Sequence, residues 1–317
     1  MDIETQIINY LKSQFPNHIG DDAVLLENNN NLISKDILIE DIHFRLKYFT
    51  PQELAHKSIH VNLSDIAAMG GTPHSILLGI GIPSQQIQYA EEYLKEFIVI
   101  CNKLSIKLIG GDTTKSPDKL YLSITILGHN KGKKIIYRNG AKNNNLICVA
   151  GNLGYAHLGL LQLEQNLIAN YHHDYSDYLK KPTARIDEGL FFNNCDGINA
   201  MMDISDGLCT DLEKLADSSN KQAIINLDLF NFLDENFKIT CGELNINPLN
   251  TALIGGEDYS LLITINQNQY TEIVTDFYNQ FGYKIKQIGY ISNGNGIKFI
   301  KNNKLISYKY MPFAHFK

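Results

Sequence analysis

The sequence has few cysteines, and their spacing excludes two structural roles. The five cysteines are Cys101, Cys148, Cys195, Cys209 and Cys241. They are widely separated, odd in number and form no CxxC pair, so neither a disulfide framework nor a zinc knuckle is indicated. We therefore expect a protein of the reducing cytoplasm.

Long apolar runs are also lacking. None approaches the roughly 18–20 residues that a membrane span needs. The N-terminal segment MDIETQIINYLKSQF lacks the basic start and apolar centre of a signal peptide. The spacing of Ile3, Ile7, Ile8, Leu11 and Phe15 instead predicts one face of an amphipathic helix. We expect no membrane association.

Positive charge is in deficit, with 28 Lys and Arg against 34 Asp and Glu and a formal charge of −6. This balance argues against a nucleic-acid-binding surface. The sequence also lacks GxxxxGK[ST], a GxGxxG after a strand, and the protein-kinase HRD and DFG motifs. A cleft lined by carboxylates would accept an anionic nucleotide only together with cations such as Mg²⁺.

The length of 317 residues and a hydrophobic content of 44% predict two α/β lobes with substantial cores. Helical and strand patterns alternate to about residue 130, starting with a hairpin over 22–27 and 32–40 and a helix over 51–69. Residues 110–118 are predicted to form a glycine-rich loop. The Lys-, Asn- and Gly-rich segment 131–145 is the expected connection, which predicts domains 1–138 and 139–317.

Acidic residues recur next to glycines at the predicted ends of elements. They are Asp21, Asp22, Asp36, Asp65, Asp112, Asp203, Asp206, Glu257 and Asp258. Each cluster alone has an ordinary explanation: a polar turn, a helix cap by Ser205 or Asp206, or, for Asp65, pairing with an arginine. Their conjunction favours one oxygen-rich site for Mg²⁺ or Mn²⁺ rather than for zinc or copper.

Arg138, in the predicted connection, has two interpretations of equal weight. It is either a surface arginine or a cation that helps to bind phosphate, since guanidinium groups bind phosphate with two parallel hydrogen bonds.

The order of the motifs resembles the thiamine-monophosphate kinase family, which shares its fold with aminoimidazole ribonucleotide synthetase and selenophosphate synthetase. The resemblance runs the length of the chain. It rests on GDDAVL (20–25), the SxD…HF pattern of 34–44, VNLSDIAAMGGTP (61–73), LIGGDTT (108–114), RNGA (138–141), MMDISDGLCTDL (201–212), GGEDYSLL (255–262) and FAHF (313–316).

This resemblance implies two mixed α/β domains, with an N-terminal sheet that builds a homodimer interface and a C-terminal domain that closes over the nucleotide. It implies transfer of the γ-phosphoryl group of ATP to thiamine monophosphate, assisted by several Mg²⁺ ions and without a dedicated general base. The implied metal-binding positions are Asp22, Ser34, Lys35, Asp36, Asp65, Asp112, Asp203 and Asp206. The implied ATP contacts are Gly111, Asp112, Arg138 and Ser205, and the implied substrate contacts are His43, Glu257 or Asp258, and Phe313.

Two positions depart from the family pattern. Lys35 stands where the family usually carries Thr, which is harmless if that position binds metal through its backbone carbonyl. If the side chain is the ligand, that ligand is lost and the ammonium group competes with the metal. Met311-Pro312 precedes Phe313, where the family often has Gly before an aromatic residue, but an aromatic platform for the thiamine ring remains.

Other functions stay open at the level of sequence. A related ATP-using synthetase is the first alternative, although no cysteine precedes Cys101 for selenophosphate synthesis and no terminal cysteine follows HFK for hydrogenase maturation. A phosphatase that uses the same metals is the second alternative. A nucleotide-sensing module without turnover is the third, and the retention of all the main acidic motifs disfavours it.

Overall fold

The computed structural model describes residues 3–15, 19–26, 30–165 and 172–310. In these ranges the helices are α1 (Ile3–Gln14), α2 (Pro51–Ala68), α3 (Ile87–Lys103), α4 (Tyr155–Glu164), α5 (Ser176–Lys180), α6 (Ile186–Asn193), α7 (Leu208–Ser218), α8 (Glu235–Glu243), α9 (Pro248–Ile254) and α10 (Tyr270–Phe281). The strands are β1 (Val24–Leu26), β2 (Asn31–Ile39), β3 (Thr72–Ile82), β4 (Lys107–Lys115), β5 (Tyr121–His129), β6 (Leu146–Ala150), β7 (Ile198–Ile204), β8 (Gln222–Asn226), β9 (Ser260–Ile265), β10 (Lys286–Ser292), β11 (Gly296–Lys301) and β12 (Lys304–Ile306).

The N-terminal half forms a five-stranded sheet in the order β1-β2-β5-β3-β4. Strands β3 and β4 are parallel, and the other neighbours are antiparallel. The predicted hairpin is confirmed, since β1 pairs with β2. Helices α2 and α3 bury their apolar side chains together with alternate residues of the strands, such as Leu122, Ile124 and Ile126. The opposite side chains of these strands remain partly exposed.

The C-terminal half forms a seven-stranded mixed sheet in the order β12-β11-β8-β10-β6-β9-β7. Apolar clusters lie on both of its faces, because alternate residues of β6 belong to different clusters: Ile147 and Val149 to one, Cys148 and Ala150 to the other. The prediction of two mixed α/β halves is confirmed.

Helix α2 is the central element between the halves. It begins at Pro51 after a capping box in which the Thr50 side chain accepts from the Glu53 amide and the Glu53 side chain accepts from the Thr50 amide. It ends at Ala68 with Met69 as the C-cap, and the next residue, Gly70, has a left-handed φ of +70° that suits glycine. Side chains on several of its faces are buried, because α2 contacts the first sheet, α3, α5, α6 and β7.

The predicted loop over 110–118 is wrong for residues 110–115 and confirmed for 116–118. Gly110, Gly111 and Asp112 continue strand β4, which pairs in parallel with β3 up to Lys115. Gly111 has a φ of +155°, and a Cβ atom there would lie 1.9 Å from the carbonyl oxygen of Leu78. The glycine therefore permits close approach of two strands at a register shift rather than a turn.

Three short helices, α5, α8 and α9, were not apparent from the sequence pattern. The N-terminal amphipathic helix is confirmed as α1, and Ile3, Ile7, Ile8, Leu11 and Phe15 are all exposed. None of the helices in the described ranges combines the length and apolar composition that a membrane crossing requires.

Candidate active site

Three carboxylates from separate elements meet between the two sheets. Asp22 precedes β1, Asp65 lies on α2, and Asp203 lies near the end of β7. One oxygen of each lies within 4.8 Å of the other two. The fold thus joins three motifs that lie far apart in the sequence.

The ionised forms of Asp65 and Asp203 are destabilised. Burial raises the pKa of Asp65 well above its ordinary value, and the carboxylates of Asp36 and Asp203 raise it further. Burial and the Asp22 carboxylate likewise raise the pKa of Asp203 well above its usual range. A cation bound among these oxygens would relieve this repulsion.

Two residues of β2 face the same cluster. Ser34 donates its hydroxyl hydrogen to Asp65, and the Asp36 amide donates to Asn62 Oδ1 at 3.2 Å. Burial and Asp22 raise the pKa of Asp36 to about 6. The side chain of Lys35 points to the other face of the strand and donates to Ser123 Oγ at 2.6 Å. The ammonium group of Lys35 therefore does not compete with a cation at Asp36.

Arg138 is not a free surface residue. Its Nε lies 3.3 Å from Asp22 Oδ2, its Nη2 donates to the other oxygen of Asp22, and its Nη1 donates to the Gly20 carbonyl at 3.2 Å. Its amide donates to Asp21 Oδ1 at 2.9 Å. Burial alone would lower the pKa of Arg138, but Asp22 raises it above its ordinary value. Asp22 thus has a guanidinium partner next to the carboxylate cluster.

The turn after β7 is held by a carboxylate to which the sequence analysis gave no role. Buried Asp211 accepts from the amides of Ser205, at 3.0 Å, and Asp206, at 2.9 Å. Lys214 pairs with both Asp206 and Asp211. The expected helix cap by Ser205 or Asp206 is wrong, since Gly207 occupies the cap position of α7. The only signal for Asp211 in the sequence was an acid in the first turn of the helix.

A cavity of about 450 Å³ opens beside the carboxylates. Asp36, Asp65, Asp203 and Asp206 line its acidic part. Apolar side chains, among them Ile37, Ile42, Val61, Leu160 and Ile254, line much of the remainder. This combination suits a ligand that has a phosphate at one end and apolar rings at the other, provided that cations accompany the phosphate.

Six further polar side chains line this cavity: His43, Lys57, His157, Ser205, Glu257 and Tyr259. His43 Nδ1 accepts from the Ile39 amide at 3.0 Å, which requires the tautomer with hydrogen on Nε2 when the ring is neutral. Lys57 Nζ lies 2.6 Å from Glu257 Oε1. Lys57 and His157 were not among the site residues predicted from the sequence. The sequence signal for Lys57 was a lysine within the mostly apolar pattern of α2.

Asp258 lies outside this cavity. Its carboxylate accepts from the amides of Gly154, at 2.5 Å, and Ala156, at 3.0 Å, at the start of α4. Burial raises the pKa of Asp258 to about 7. Of the two adjacent acids, Glu257 is the one that faces the cavity.

Gly111 and Asp112 are not brought to the carboxylate cluster of their own chain. They lie on the exposed edge strand β4, three strands away from β2, which corresponds to about 14 Å across the sheet. Phe313 lies outside the described residues.

Comparisons with known proteins cover nearly the whole chain. The family model for the N-terminal domain of AIR synthase related proteins matches residues 20–129, and that for the C-terminal domain matches residues 145–302. Thiamine-monophosphate kinase of Buchnera aphidicola subsp. Schizaphis graminum is 39% identical over 314 residues, covering 94% of this chain and 92% of that protein. The Bacillus subtilis thiamine-monophosphate kinase is 31% identical, covering 89% of this chain and 87% of that protein.

Solved structures give the same picture. AaThiL complexed with AMPPCP and TMP superimposes with a TM-score of 0.83 and 28% identity, covering 100% of this chain and 99% of that chain. The E. coli hydrogenase maturation protein HypE, at 15% identity and a TM-score of 0.74, covers 99% of this chain and all of that one, and shares the fold alone.

Proposed function

The chain belongs to the AIR synthase related family and, within it, to the thiamine-monophosphate kinases, and we propose that its acidic cleft is the site of their reaction. The protein transfers the γ-phosphoryl group of ATP to thiamine monophosphate, giving thiamine diphosphate and ADP. The observation that carries the assignment of the site is the meeting of Asp22, Asp65 and Asp203 within 4.8 Å beside a cavity.

Several Mg²⁺ ions fit the donors of this site. Carboxylate oxygens are the ligands that Mg²⁺ prefers, and the pKa values of Asp65 and Asp203 are raised by burial and, after it, by the neighbouring negative charges. When bound, such ions neutralise phosphate charge and hold the two phosphates together. The residues assigned to them in this chain are Asp22, Ser34, Asp36, Asp65, Asp203 and Asp206, with Lys35 through its backbone carbonyl.

Arg138 and Ser205 are assigned to the nucleotide. The guanidinium group of Arg138 already binds a carboxylate oxygen pair of Asp22, and a phosphate offers a similar pair of acceptors. Ser205 lines the cavity beside the carboxylates, and Asp211 and Lys214 hold the turn that carries it. A fixed turn orients the nucleotide without further rearrangement.

The acceptor phosphate is assigned to the acidic end of the cavity, and the thiamine rings to the part lined by His43 and Glu257. The acceptor is already an anion, so its oxygen needs no general base. The residues of the chain then act by orienting both phosphates in line and by excluding water with the apolar wall of the cavity. Phe313 remains a predicted contact to the thiamine rings.

The protein is proposed to be a homodimer that forms through its first sheet. Strand β4 is exposed along its whole length, and it carries the exposed apolar residues Leu108 and Ile109. An unpaired edge with apolar side chains is a surface that proteins usually cover. In such a dimer Gly111 and Asp112 would serve the site of the second copy, which is consistent with their distance from the carboxylates of their own chain. Sedimentation velocity tests this proposal, and a monomer at micromolar concentration would contradict it.

A cytoplasmic location is proposed because ATP, the co-substrate, is available there. The five cysteines are free thiols, which suits a reducing compartment. Cell fractionation tests this location, and recovery of the protein outside the cytoplasm would contradict it.

The direct test of the function is incubation of the pure protein with ATP, Mg²⁺ and thiamine monophosphate. We expect thiamine diphosphate and ADP in equal amounts. No thiamine diphosphate at high enzyme concentration would refute the kinase function. Release of inorganic phosphate in its place would identify water as the acceptor and the protein as a phosphatase.

A further inference from the structure

We infer that Lys57 is a positioning residue, which fixes the side-chain carboxylate of Glu257 at the Lys57 end of the cavity and thereby selects for the aminopyrimidine ring of the acceptor. This inference rests on the proposed function of the cleft. It concerns a side chain to which the motifs gave no role.

Helix α2 sets the spacing between the two ends. Lys57, Val61 and Asp65 follow one another at intervals of four residues and all line the cavity. Eight residues of α-helix correspond to about 12 Å along the axis. One helix face therefore presents an ammonium group, an apolar side chain and a carboxylate in that order along the cleft.

The ammonium group of Lys57 is held in a nearly water-free position. The Lys57 side chain is 1% exposed, whereas that of Glu257 is 31% exposed. The Lys57 ammonium lies 2.6 Å from Glu257 Oε1 and 5.5 Å from the centre of the Phe49 ring. A buried ammonium needs a carboxylate partner, so Lys57 restricts the positions that the Glu257 side chain can occupy.

The main chain of Glu257 is fixed as well. Its φ of +65° lies in the left-handed region, and its amide donates to the Ser205 carbonyl at 2.8 Å. Ser205 belongs to the turn next to the carboxylate cluster. Glu257 is therefore tied at its backbone to the phosphate end of the cleft and at its side chain to α2.

The acceptor has matching chemistry at its two ends. Thiamine monophosphate carries its phosphate on the thiazolium ring and an aminopyrimidine on the opposite side of that ring. With the phosphate at the end marked by Asp65, the aminopyrimidine extends towards Lys57 and Glu257. A fixed carboxylate can accept hydrogen bonds from its exocyclic amine.

The experiment measures KM and kcat of Lys57→Met with two acceptors: thiamine monophosphate and a thiazole phosphate that lacks the aminopyrimidine ring. We expect the KM for thiamine monophosphate to rise at least about tenfold, the size of losing one hydrogen bond to a charged group. The KM for ATP and the kinetic constants for the truncated acceptor should change less than twofold. Lys57→Arg should recover part of the loss.

Lys180→Met is the matched control. Lys180 pairs with Glu53 at 3.4 Å, so it also joins the C-terminal half to α2, but it does not line the cavity. We expect wild-type kinetics from this variant. We further expect Lys57→Met combined with Glu257→Gln to be no worse than either single variant, because both remove the same interaction.

A KM for thiamine monophosphate within twofold of wild type in Lys57→Met would overturn the inference. So would an equal loss with the truncated acceptor, or an equal loss in Lys180→Met, since these would indicate a general effect on the fold. A wild-type protein that forms no thiamine diphosphate would instead refute the proposed function, so the two failures are distinguishable.

Discussion

At the scale of residues, the buried carboxylate of Asp65 destabilises the folded protein, and its neighbours offset this effect only in part. Burial and the carboxylates of Asp36 and Asp203 raise its pKa, while the hydroxyl of Ser34 donates one hydrogen bond to it. An acid whose folded-state pKa is raised destabilises the fold at pH values above its unfolded pKa. The cluster of negative charge at the site therefore lowers the stability of the fold, as is common at functional sites.

The variant Asp65→Asn separates stability from function. In metal-free buffer at pH 7 we expect its free energy of unfolding to equal or exceed that of wild type, because the substitution removes charge repulsion. Turnover should fall at least about a hundredfold, since positioned charge stabilisation is commonly worth that much. Urea unfolding and thiamine diphosphate formation measure the two effects. Asp177→Asn, at a carboxylate that is 68% exposed and lies outside the acidic cavity, is the control. Wild-type turnover in Asp65→Asn would remove Asp65 from the site.

His60 gives the protein a specific acid sensitivity. Its ring stacks on that of His56 with centroids 4.1 Å apart, and its Nδ1 accepts from the Ala184 amide at 3.2 Å. Burial, the neighbouring His56 and Lys103 lower the pKa of His60 from 6.5 to about 3. The neutral ring thus stabilises the contact between α2 and the segment before α6.

We expect the free energy of unfolding to fall as the pH falls from about 6.5 towards 3. In this range His60 takes up a proton in the unfolded chain but stays neutral in the folded protein, so protonation favours the unfolded state. The contribution of His60 has a slope of up to about 1.4 kcal/mol per pH unit. His60→Asn keeps an acceptor near the Nδ1 position and does not titrate, so its slope should be smaller. Urea unfolding across this pH range measures the difference, and equal slopes would contradict the prediction.

The acidic residues of the site could be predicted from the sequence, because carboxylates next to glycine recur at the predicted ends of helices and strands. It did not reveal Lys57, whose partner Glu257 is 200 residues away. It also could not choose between Glu257 and Asp258, because the direction of each side chain depends on the left-handed backbone at Glu257. Contacts of this kind are set by the packing of distant elements.

At the scale of elements, α2 joins the start of the fold to the site. The capping box at Thr50 and Glu53 fixes its first turn, and Lys57, Asn62 and Asp65 follow on the same helix. Because packing in both halves of the chain holds the rest of α2, a weakened cap should affect stability more than the position of Asp65.

Thr50→Ala tests this expectation. Loss of the cap should lower the free energy of unfolding by about 1 kcal/mol, and kcat should remain within about twofold of wild type. Thr50→Ser keeps the hydroxyl and should keep the stability. Chemical denaturation and the kinase assay give the two values, and a tenfold drop in kcat would indicate that the first turn of α2 controls the site directly.

Some elements followed from the sequence and others did not. Helical and strand patterns predicted α2 and the β1–β2 hairpin, whereas the Gly110-Gly111 pair was predicted to lie in a loop. Those glycines lie in strand β4 just after a register shift against β3, and a Cβ atom at position 111 would lie 1.9 Å from the carbonyl oxygen of Leu78. The amino acid alone does not distinguish this reason for glycine from a turn.

At the scale of the whole molecule, the site exists because two sheets and α2 bring three motifs together. The order of the strands decides this convergence, and local patterns carry little information about strand order. The domain boundary at residues 138 and 139 stays a prediction. Arg138, at that boundary, pairs with Asp22 of the N-terminal half and thus links the connection to the carboxylates.

The proposed dimer makes a prediction about mixed variants. If Asp112 serves the site of the second copy, Asp65→Asn and Asp112→Asn each inactivate both sites of a homodimer. Co-refolded mixtures should then recover up to about a quarter of wild-type turnover, because random pairing makes half of the dimers heterodimers, each with one intact site. Mixed Asp65→Asn and Asp203→Asn proteins are the control and should recover none. No recovery in the first mixture would place Asp112 in the site of its own chain, and an active Asp112→Asn homodimer would place Asp112 outside any site.

The dependence of thiamine diphosphate formation on Mg²⁺ tests the central claim most directly. With ATP and thiamine monophosphate present, we predict that removing divalent metal with EDTA abolishes product formation and that excess Mg²⁺ restores it fully. Undiminished formation of thiamine diphosphate in metal-free buffer would contradict the account of a carboxylate site that acts through bound cations.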